Sequence, residues 1–133
     1  MGKINDFLNE AGVFYLASVD GDQAKVRPLG LHFEKDGVEY FGVGDFKDCY
    51  KQMVANPKIE IVALKPNSPH WLRYTGKAVF ETDFALADYV LSEVNPGLKA
   101  IYNDETGNKM MVFHLEDAEA YDITMMPPGE SLL

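Results

Sequence analysis

Lys25-Val26-Arg27-Pro28-Leu29-Gly30-Leu31, then Val38-Glu39-Tyr40-Phe41-Gly42-Val43-Gly44, then Asp45 to Ala55: this is the stretch on which the reading turns. The first run has strand composition and a kink at Pro28, where the ring fixes φ and removes a donor. Lys35-Asp36-Gly37 makes a turn into the second run, a strand ending in glycines. Asp45 is a candidate N-cap for a short helix to Ala55, with Asp48 three positions on. Lys47 and Lys51 sit four apart on one face of that helix. Cations beside glycines and a proline that expose backbone suit an anionic ligand with a flat ring, held between two strands and a helix.

Upstream, Ile4, Phe7, Leu8 and Ala11 follow helical spacing and Gly12 is a natural stop, so residues 1–12 read as an N-terminal helix. Val13 to Val19 is aromatic and β-branched, a buried strand. Asp20-Gly21-Asp22 turns it into a partner, Gln23 to Leu29, which Leu31 to Glu34 continues past the Pro28 bend. That bend belongs at a sheet edge or bulge. Downstream, Lys58 to Lys65 alternates, with Ile59, Ile61 and Ala63 on one side and Glu60, Val62 and Leu64 on the other. His70 to Glu81 is a long strand with Gly76 marking a bulge or close approach. Thr82 is a candidate N-cap for a helix carrying Phe84, Ala87, Leu91 and Val94, broken at Asn95-Pro96-Gly97. Met110 to Leu115 and Ala118 to Thr124 read as a last strand pair about Glu116-Asp117. Residues 125–133 read as an irregular tail. Strands joined mostly by hairpins, with few short helices, predict an antiparallel barrel of one domain over residues 1–133. A strand, Gly-rich loop and helix fingerprint for a dinucleotide fold is missing.

At 133 residues the chain can bury a full core without disulfides, and Cys49 is its only cysteine. A reducing, cytoplasmic setting is expected, with neither signal peptide nor membrane span. A formal charge of −9 argues against nucleic acid and against anionic membranes as partners. The cations are uneven. Lys25, Arg27, Lys47, Lys51, Arg73 and Lys77 lie in the first two-thirds, whereas beyond Thr82 there are only Lys99 and Lys109. A local anion site fits that distribution.

The order of several segments resembles a known family. These are Phe14-Tyr15-Leu16-Ala17-Ser18-Val19-Asp20-Gly21, Val26-Arg27-Pro28-Leu29, Tyr40-Phe41-Gly42, Tyr50-Lys51-Gln52-Met53 before Asn56-Pro57-Lys58-Ile59-Glu60, and Trp71-Leu72-Arg73-Tyr74-Thr75-Gly76-Lys77-Ala78. Together they resemble the pyridoxamine 5′-phosphate oxidase-like flavoproteins, the FMN-binding split β-barrels, over about residues 3–124. The resemblance implies a homodimer with FMN between subunits and a small-molecule redox substrate. It implies that Arg27, Pro28, Leu29 and Gly30 line the isoalloxazine edge, with backbone groups bonding the ring and the arginine reaching the phosphate. It implies phosphate contacts from Gly42 to Lys51, with Gly42, Gly44, Lys47 and Lys51 as the candidates. Relatives often carry Thr or Ser where this chain has Gly42 and Gly44, and backbone N–H groups in an anion nest are the expected substitute. The tail lacks the tryptophan and arginine of the true oxidase, so pyridoxamine phosphate oxidation is not expected.

Trp71 and Arg73 share a strand face. Trp71 flanks the ring or fills the barrel or dimer interface; Arg73 neutralises an anion or pairs with an acid. Phe46, Tyr50 and Cys49 read as core. His32, His70 and His114 have no metal-ligand spacing. Ser18 lacks a nucleophile-elbow context, which excludes a hydrolase reading. The leading expectation is an FMN-dependent oxidoreductase of open substrate. The rivals are a haem- or deazaflavin-binding split barrel, with His32 or His70 as haem ligand, a non-catalytic flavin-binding module, and a cofactor-free interaction protein.

Overall fold

The computed structural model describes residues 2–133. Its strands are β1 (Phe14–Asp20), β2 (Gln23–Leu29), β3 (His32–Lys35), β4 (Val38–Gly44), β5 (Lys58–Leu64), β6 (Trp71–Phe80), β7 (Met110–Ile123) and β8 (Glu130–Ser131). They form one antiparallel sheet in the order β2-β1-β5-β6-β7-β4-β3, with β8 added to β7.

That order explains the split barrel. β2 and β3 are consecutive in the chain yet lie at opposite edges of the sheet. Only Gly30 and Leu31 join them, and three Cα steps span at most about 11 Å. The sheet must therefore curl until its edges nearly meet. The edges are held by this link, helped by the Gly42 N–H donating to the Leu31 carbonyl at 3.4 Å, rather than by a β2–β3 ladder. Leu31 to Glu34 thus does not extend β2, as expected from sequence; it crosses the seam and starts the other edge.

Alternation sets the interior. Phe14 and Leu16 of β1, Phe41 of β4, Ile59, Ile61 and Ala63 of β5, Leu72 and Tyr74 of β6, and Phe113 of β7 point into the barrel and are buried. α1 (Lys3–Ala11) places Ile4, Phe7 and Leu8 against this core, and Gly12, at φ 83°, ends it with its N–H on the Leu8 carbonyl. α2 (Asp48–Ala55) packs Cys49 and Met53 against β1 and β4. A second, smaller core lies on the outer face of the β3–β4–β7 edge. There Phe33, Met110 and Val112 meet Ala87 and Val90. Ala87 belongs to α3 (Ala85–Tyr89), which runs into a π-helical turn (Val90–Val94) and then a 3-10 turn (Pro96–Ala100).

Several boundaries differ from expectation, each for a local reason. α2 begins at Asp48, with Lys47 in the N-cap position; the Asp45 carboxylate instead accepts the Lys109 N–H at 3.0 Å. α3 begins at Ala85 after Phe84, not after Thr82. Glu116-Asp117 does not separate two strands. One strand runs through it, carrying an extra residue opposite Gly76, with Asp117 at φ 51°. A Cβ on Gly76 would lie 3.1 Å from the Glu116 carbonyl oxygen and 3.1 Å from the Ala118 Cβ, so the close approach read from sequence is real. The tail is not wholly irregular: Glu130–Ser131 pairs with Tyr121 and Asp122. No helix among the described residues is long and apolar enough to cross a membrane.

Candidate functional site

The seam between the two sheet edges opens as a cleft of about 530 Å³, within the size range of small-molecule sites. Leu29, Gly30, Leu31 and His32 form one wall, where the β2–β3 link crosses the seam. Gly42, Val43 and Gly44 of β4, with Met110 of β7, form the floor. Val94, Asn95, Leu98 and Tyr102, from the irregular helical turns, form the far wall, and Lys47 stands at one end.

Gly42 and Gly44 do not build an anion nest. Both lie within β4 and neither has positive φ. Strand N–H groups point alternately to opposite sides, whereas a nest needs successive ones to converge. The glycines are required for packing. A Cβ on Gly44 would come within 2.7 Å of both Phe46 Cε1 and the Tyr102 hydroxyl; one on Gly42 would come within 2.7 Å of Leu31 Cδ2 and 2.8 Å of Met110 Sδ. Glycine keeps the floor low while leucine, methionine and aromatic side chains close over it. Phe46 is half exposed rather than core, with its ring 6.0 Å from that of Tyr102.

A second groove of about 430 Å³ adjoins the cleft and shares Leu29 and Lys47 with it. Lys25, Arg27 and Lys47 line it with Pro28 and Gln52, together with two acids, Asp20 and Asp48. The first turn of α2 faces this groove through Asp48 and Cys49, and no side chain caps it. Its N–H groups carry the positive end of the helix dipole. Arg27 is anchored within the chain. Its Nη1 donates to the Leu16 carbonyl at 3.0 Å and to Ser18 Oγ at 2.8 Å, and its Nη2 donates to Gln52 Oε1 at 2.9 Å. The buried Ser18 hydroxyl donates in turn to Gln52 at 2.6 Å. The arginine therefore ties β1, β2 and α2 together at the groove. Burial pushes the Cys49 thiol up, opposed by the Arg27 charge and by N–H groups of the helix start.

The candidates thus divide. Leu29, Gly30, Gly42, Gly44 and Lys47 meet in the cleft; Arg27 and Pro28 line the groove beside it. Lys51 is exposed one turn along α2 and lines neither. Trp71 and Arg73 lie on the outer face of β6, where Arg73 stacks 5.1 Å over Trp71 and pairs with Glu60 at 3.4 Å. The sequence reading passed over Leu31, Tyr102 and Met110 as cleft residues. The far wall had no local signal, because a π turn followed by a 3-10 turn has no single periodicity. From sequence His32 reads as structural, with a ligand role only in the rival haem reading. It faces inward, its Nδ1 2.7 Å from Glu39 Oε1, and both side chains are 7% exposed. Burial raises the Glu39 pKa; the hydrogen bond and charge of His32 lower it, while Glu34 and Asp6 add to the rise. Among the described residues no group of three or more His, Cys, Asp or Glu side chains could hold a metal ion.

Comparison with known proteins agrees with this architecture. The family model described as pyridoxamine 5′-phosphate oxidase matches residues 1–121. A NimC/NimA family protein from Clostridium acetobutylicum is 34% identical, with TM-score 0.84, covering 98% of this chain and 90% of that one. A putative pyridoxamine 5′-phosphate oxidase from Listeria innocua is 20% identical, with TM-score 0.65 over 87% of this chain and 93% of its own. An FAD-binding protein from Mesorhizobium loti is 16% identical, with TM-score 0.60 over 90% of this chain and 94% of its own. No curated protein matches the sequence. On the family match over residues 1–121 and the curled sheet with its open seam, the chain belongs to the pyridoxamine 5′-phosphate oxidase family of split β-barrels.

Proposed function

We propose that the cleft and groove together bind FMN, and that the protein is a flavin-dependent oxidoreductase acting on a small redox substrate other than pyridoxamine phosphate. The observation that carries this reading is that the two cavities lie side by side and share Leu29 and Lys47 as lining. An apolar slot suited to a planar ring adjoins a groove lined by three cations, two acids and an uncapped helix N-terminus. FMN has that polarity, a flat apolar head and a dianionic end. Lys47 serves as a point charge for the phosphate, and the first-turn N–H groups of α2 complete its coordination. Leu29 and Gly30 present backbone along the ring, where Gly30 has open space on its Cα side. Bound there, FMN supplies hydride or single-electron transfer. The chain's own residues bind, orient and shield it.

A homodimer is part of this proposal. Tyr15, Val26, Val62, Leu64 and Trp71 fall on one outer face of β1, β2, β5 and β6, and Val26 and Leu64 are 67% and 60% exposed. Exposed apolar side chains gathered on one face, with the Arg73–Glu60 pair among them, suit burial against a partner. A second copy covering it would bring Trp71 and Arg73 into a shared interface.

A haem reading would need an axial ligand in the cleft, and His32, which borders it, turns its ring inward onto Glu39 with the side chain 7% exposed, so the geometry favours flavin. The spectrum of the purified protein separates the two, a flavin band supporting the first and a Soret band the second. Titration with FMN tests the residue assignment. Lys47→Ala is expected to weaken FMN about tenfold or more, the equivalent of one charge-assisted hydrogen bond. Lys51→Ala is expected to change it less than about twofold. Equal affinities for the wild type and Lys47→Ala would remove the groove from the site. Turnover with reduced nicotinamide cofactor and an electron acceptor distinguishes an oxidoreductase from a flavin-binding module.

A further inference from the structure

Tyr102 carries a hydroxyl that the fold does not use. In the segment after the 3-10 turn, Asn103, Thr106 and Asn108 commit their side chains to neighbouring backbone carbonyls. The Tyr102 hydroxyl has no hydrogen-bond partner among the described residues. Its ring does pack, 6.0 Å from that of Phe46 and against the smaller core. A phenylalanine would pack as well, so packing does not account for the oxygen. The oxygen also constrains β4. It stands 2.7 Å from where a Cβ of residue 44 would be, so the strand carries glycine there, and a glycine inside a strand weakens it or marks a close approach.

Several contacts bring this hydroxyl to the cationic end of the cleft. Gly44 is part of the floor, Tyr102 is part of the far wall and Lys47 stands at one end. Phe46 neighbours both side chains: its ring centroid is 6.0 Å from that of Tyr102 and 5.3 Å from Lys47 Nζ. The Lys47 N–H donates to the Gly44 carbonyl at 3.1 Å, a turn that sets Lys47 beside the floor. Two bonds fasten the Tyr102 segment to that turn. The Asp45 N–H donates to the Lys109 carbonyl at 2.9 Å, and the Lys109 N–H donates to the Asp45 carboxylate at 3.0 Å.

We propose that Tyr102 is a ligand-binding residue of the cleft, its hydroxyl donating a hydrogen bond to the phosphate of FMN beside Lys47. The inference rests on the flavin reading above and adds a neutral donor to the point charge of the lysine. Burial, with Asp45 and Cys49 nearby, raises the Tyr102 pKa, so the phenol keeps its proton at neutral pH and meets a phosphate oxygen as a donor. Such a bond is charge-assisted through the anion. Riboflavin has a hydroxyl in place of the phosphate and gains only a neutral bond there.

The test titrates the intact flavin-free protein with FMN and with riboflavin, as wild type and as Tyr102→Phe, which keeps the ring and removes only the oxygen. FMN is expected to bind Tyr102→Phe at least about fivefold more weakly than wild type, the loss of one bond to a charged acceptor. Riboflavin affinity is expected to change less than about twofold. Thermal unfolding of flavin-free Tyr102→Phe is expected within about 2 °C of wild type, because the hydroxyl has no partner to lose. Unchanged FMN affinity overturns the proposal. Equal losses for FMN and riboflavin overturn it too, because a reshaped wall weakens both ligands alike. A marked drop in melting temperature makes the hydroxyl structural and has the same consequence. Failure of the wild type to bind FMN, or to prefer it to riboflavin, overturns the flavin-phosphate reading itself, and the wild-type titrations show that separately.

Discussion

Arg27 illustrates how a residue can be picked out for one reason and held in place by another. Beside Pro28 on an edge strand it reads as a cation free to meet phosphate, yet its guanidinium already reaches the Leu16 carbonyl, Ser18 and Gln52. Those partners come from an adjacent strand and a helix 25 residues away, which local pattern does not reveal. Arg27→Ala should therefore destabilise the cofactor-free protein by about 2–3 kcal/mol, because hydrogen bonds from a charged donor are lost and Ser18 is left buried. Urea denaturation without FMN measures this; an unchanged midpoint would restore Arg27 to a purely ligand-binding role. Glu39 makes a pH-dependent prediction. Burial raises its folded pKa above the ordinary value of 4.5, so folding disfavours the charged form relative to the unfolded chain. Its contribution to stability is then greatest below the unfolded carboxylate range and is lost as pH rises through the folded value. Glu39→Gln stays neutral throughout. The stability of Glu39→Gln relative to wild type should rise as pH is raised from the ordinary carboxylate range toward neutrality. A difference that is flat with pH, or falls, would contradict the burial argument. Tyr74, pushed up to about 12 by burial and by the nearby Glu39, stays protonated across that range and does not confuse the comparison.

Among the elements, those with a strict period were legible and those shaped by distant contacts were not. β5 alternates as written because its inner residues fill the barrel and its outer ones form a surface. The turn at Asp36-Gly37 was legible because both residues take positive φ, at 53° and 81°. The start of α2 was misplaced because Asp45 serves Lys109, a residue 64 positions away, instead of the helix. The long strand β7 looked like two because Glu116-Asp117 has turn composition, while in the fold one extra residue there is absorbed as a bulge opposite Gly76. This gives an element-scale prediction. Gly76→Ala sets a methyl against the Glu116 carbonyl, a backbone atom with little room to move, and should cost about 1–3 kcal/mol as overpacking does. Thermal unfolding checks it; an unchanged midpoint would mean that the β6–β7 ladder yields freely at the bulge.

For the whole molecule, the seam and the outer sheet face are the two features that matter. The fold class followed from counting strands and hairpins. The seam did not, since nothing local says that β2 and β3 end on opposite edges. Half of the candidate site gathers at that seam, and Trp71 and Arg73 are separated from it on the outer face, where only a second copy could join them to a cofactor. A mass in solution of twice 14.9 kDa is expected by light scattering. Val26→Glu, which puts a charge at the most exposed apolar side chain of that face, is expected to shift it toward the single-chain value. A wild type that stays monomeric at high concentration would remove the second copy from the account.

The central claim is that ring and phosphate occupy adjoining cavities that meet at Lys47. Calorimetric titration of the flavin-free protein with FMN and with riboflavin tests it most directly, because the two ligands differ only in the phosphate. FMN is expected to bind at least about tenfold more tightly than riboflavin, about 1.4 kcal/mol, with the difference largely lost in Lys47→Ala. Equal affinity for the two ligands, or no heat from either, would contradict the account.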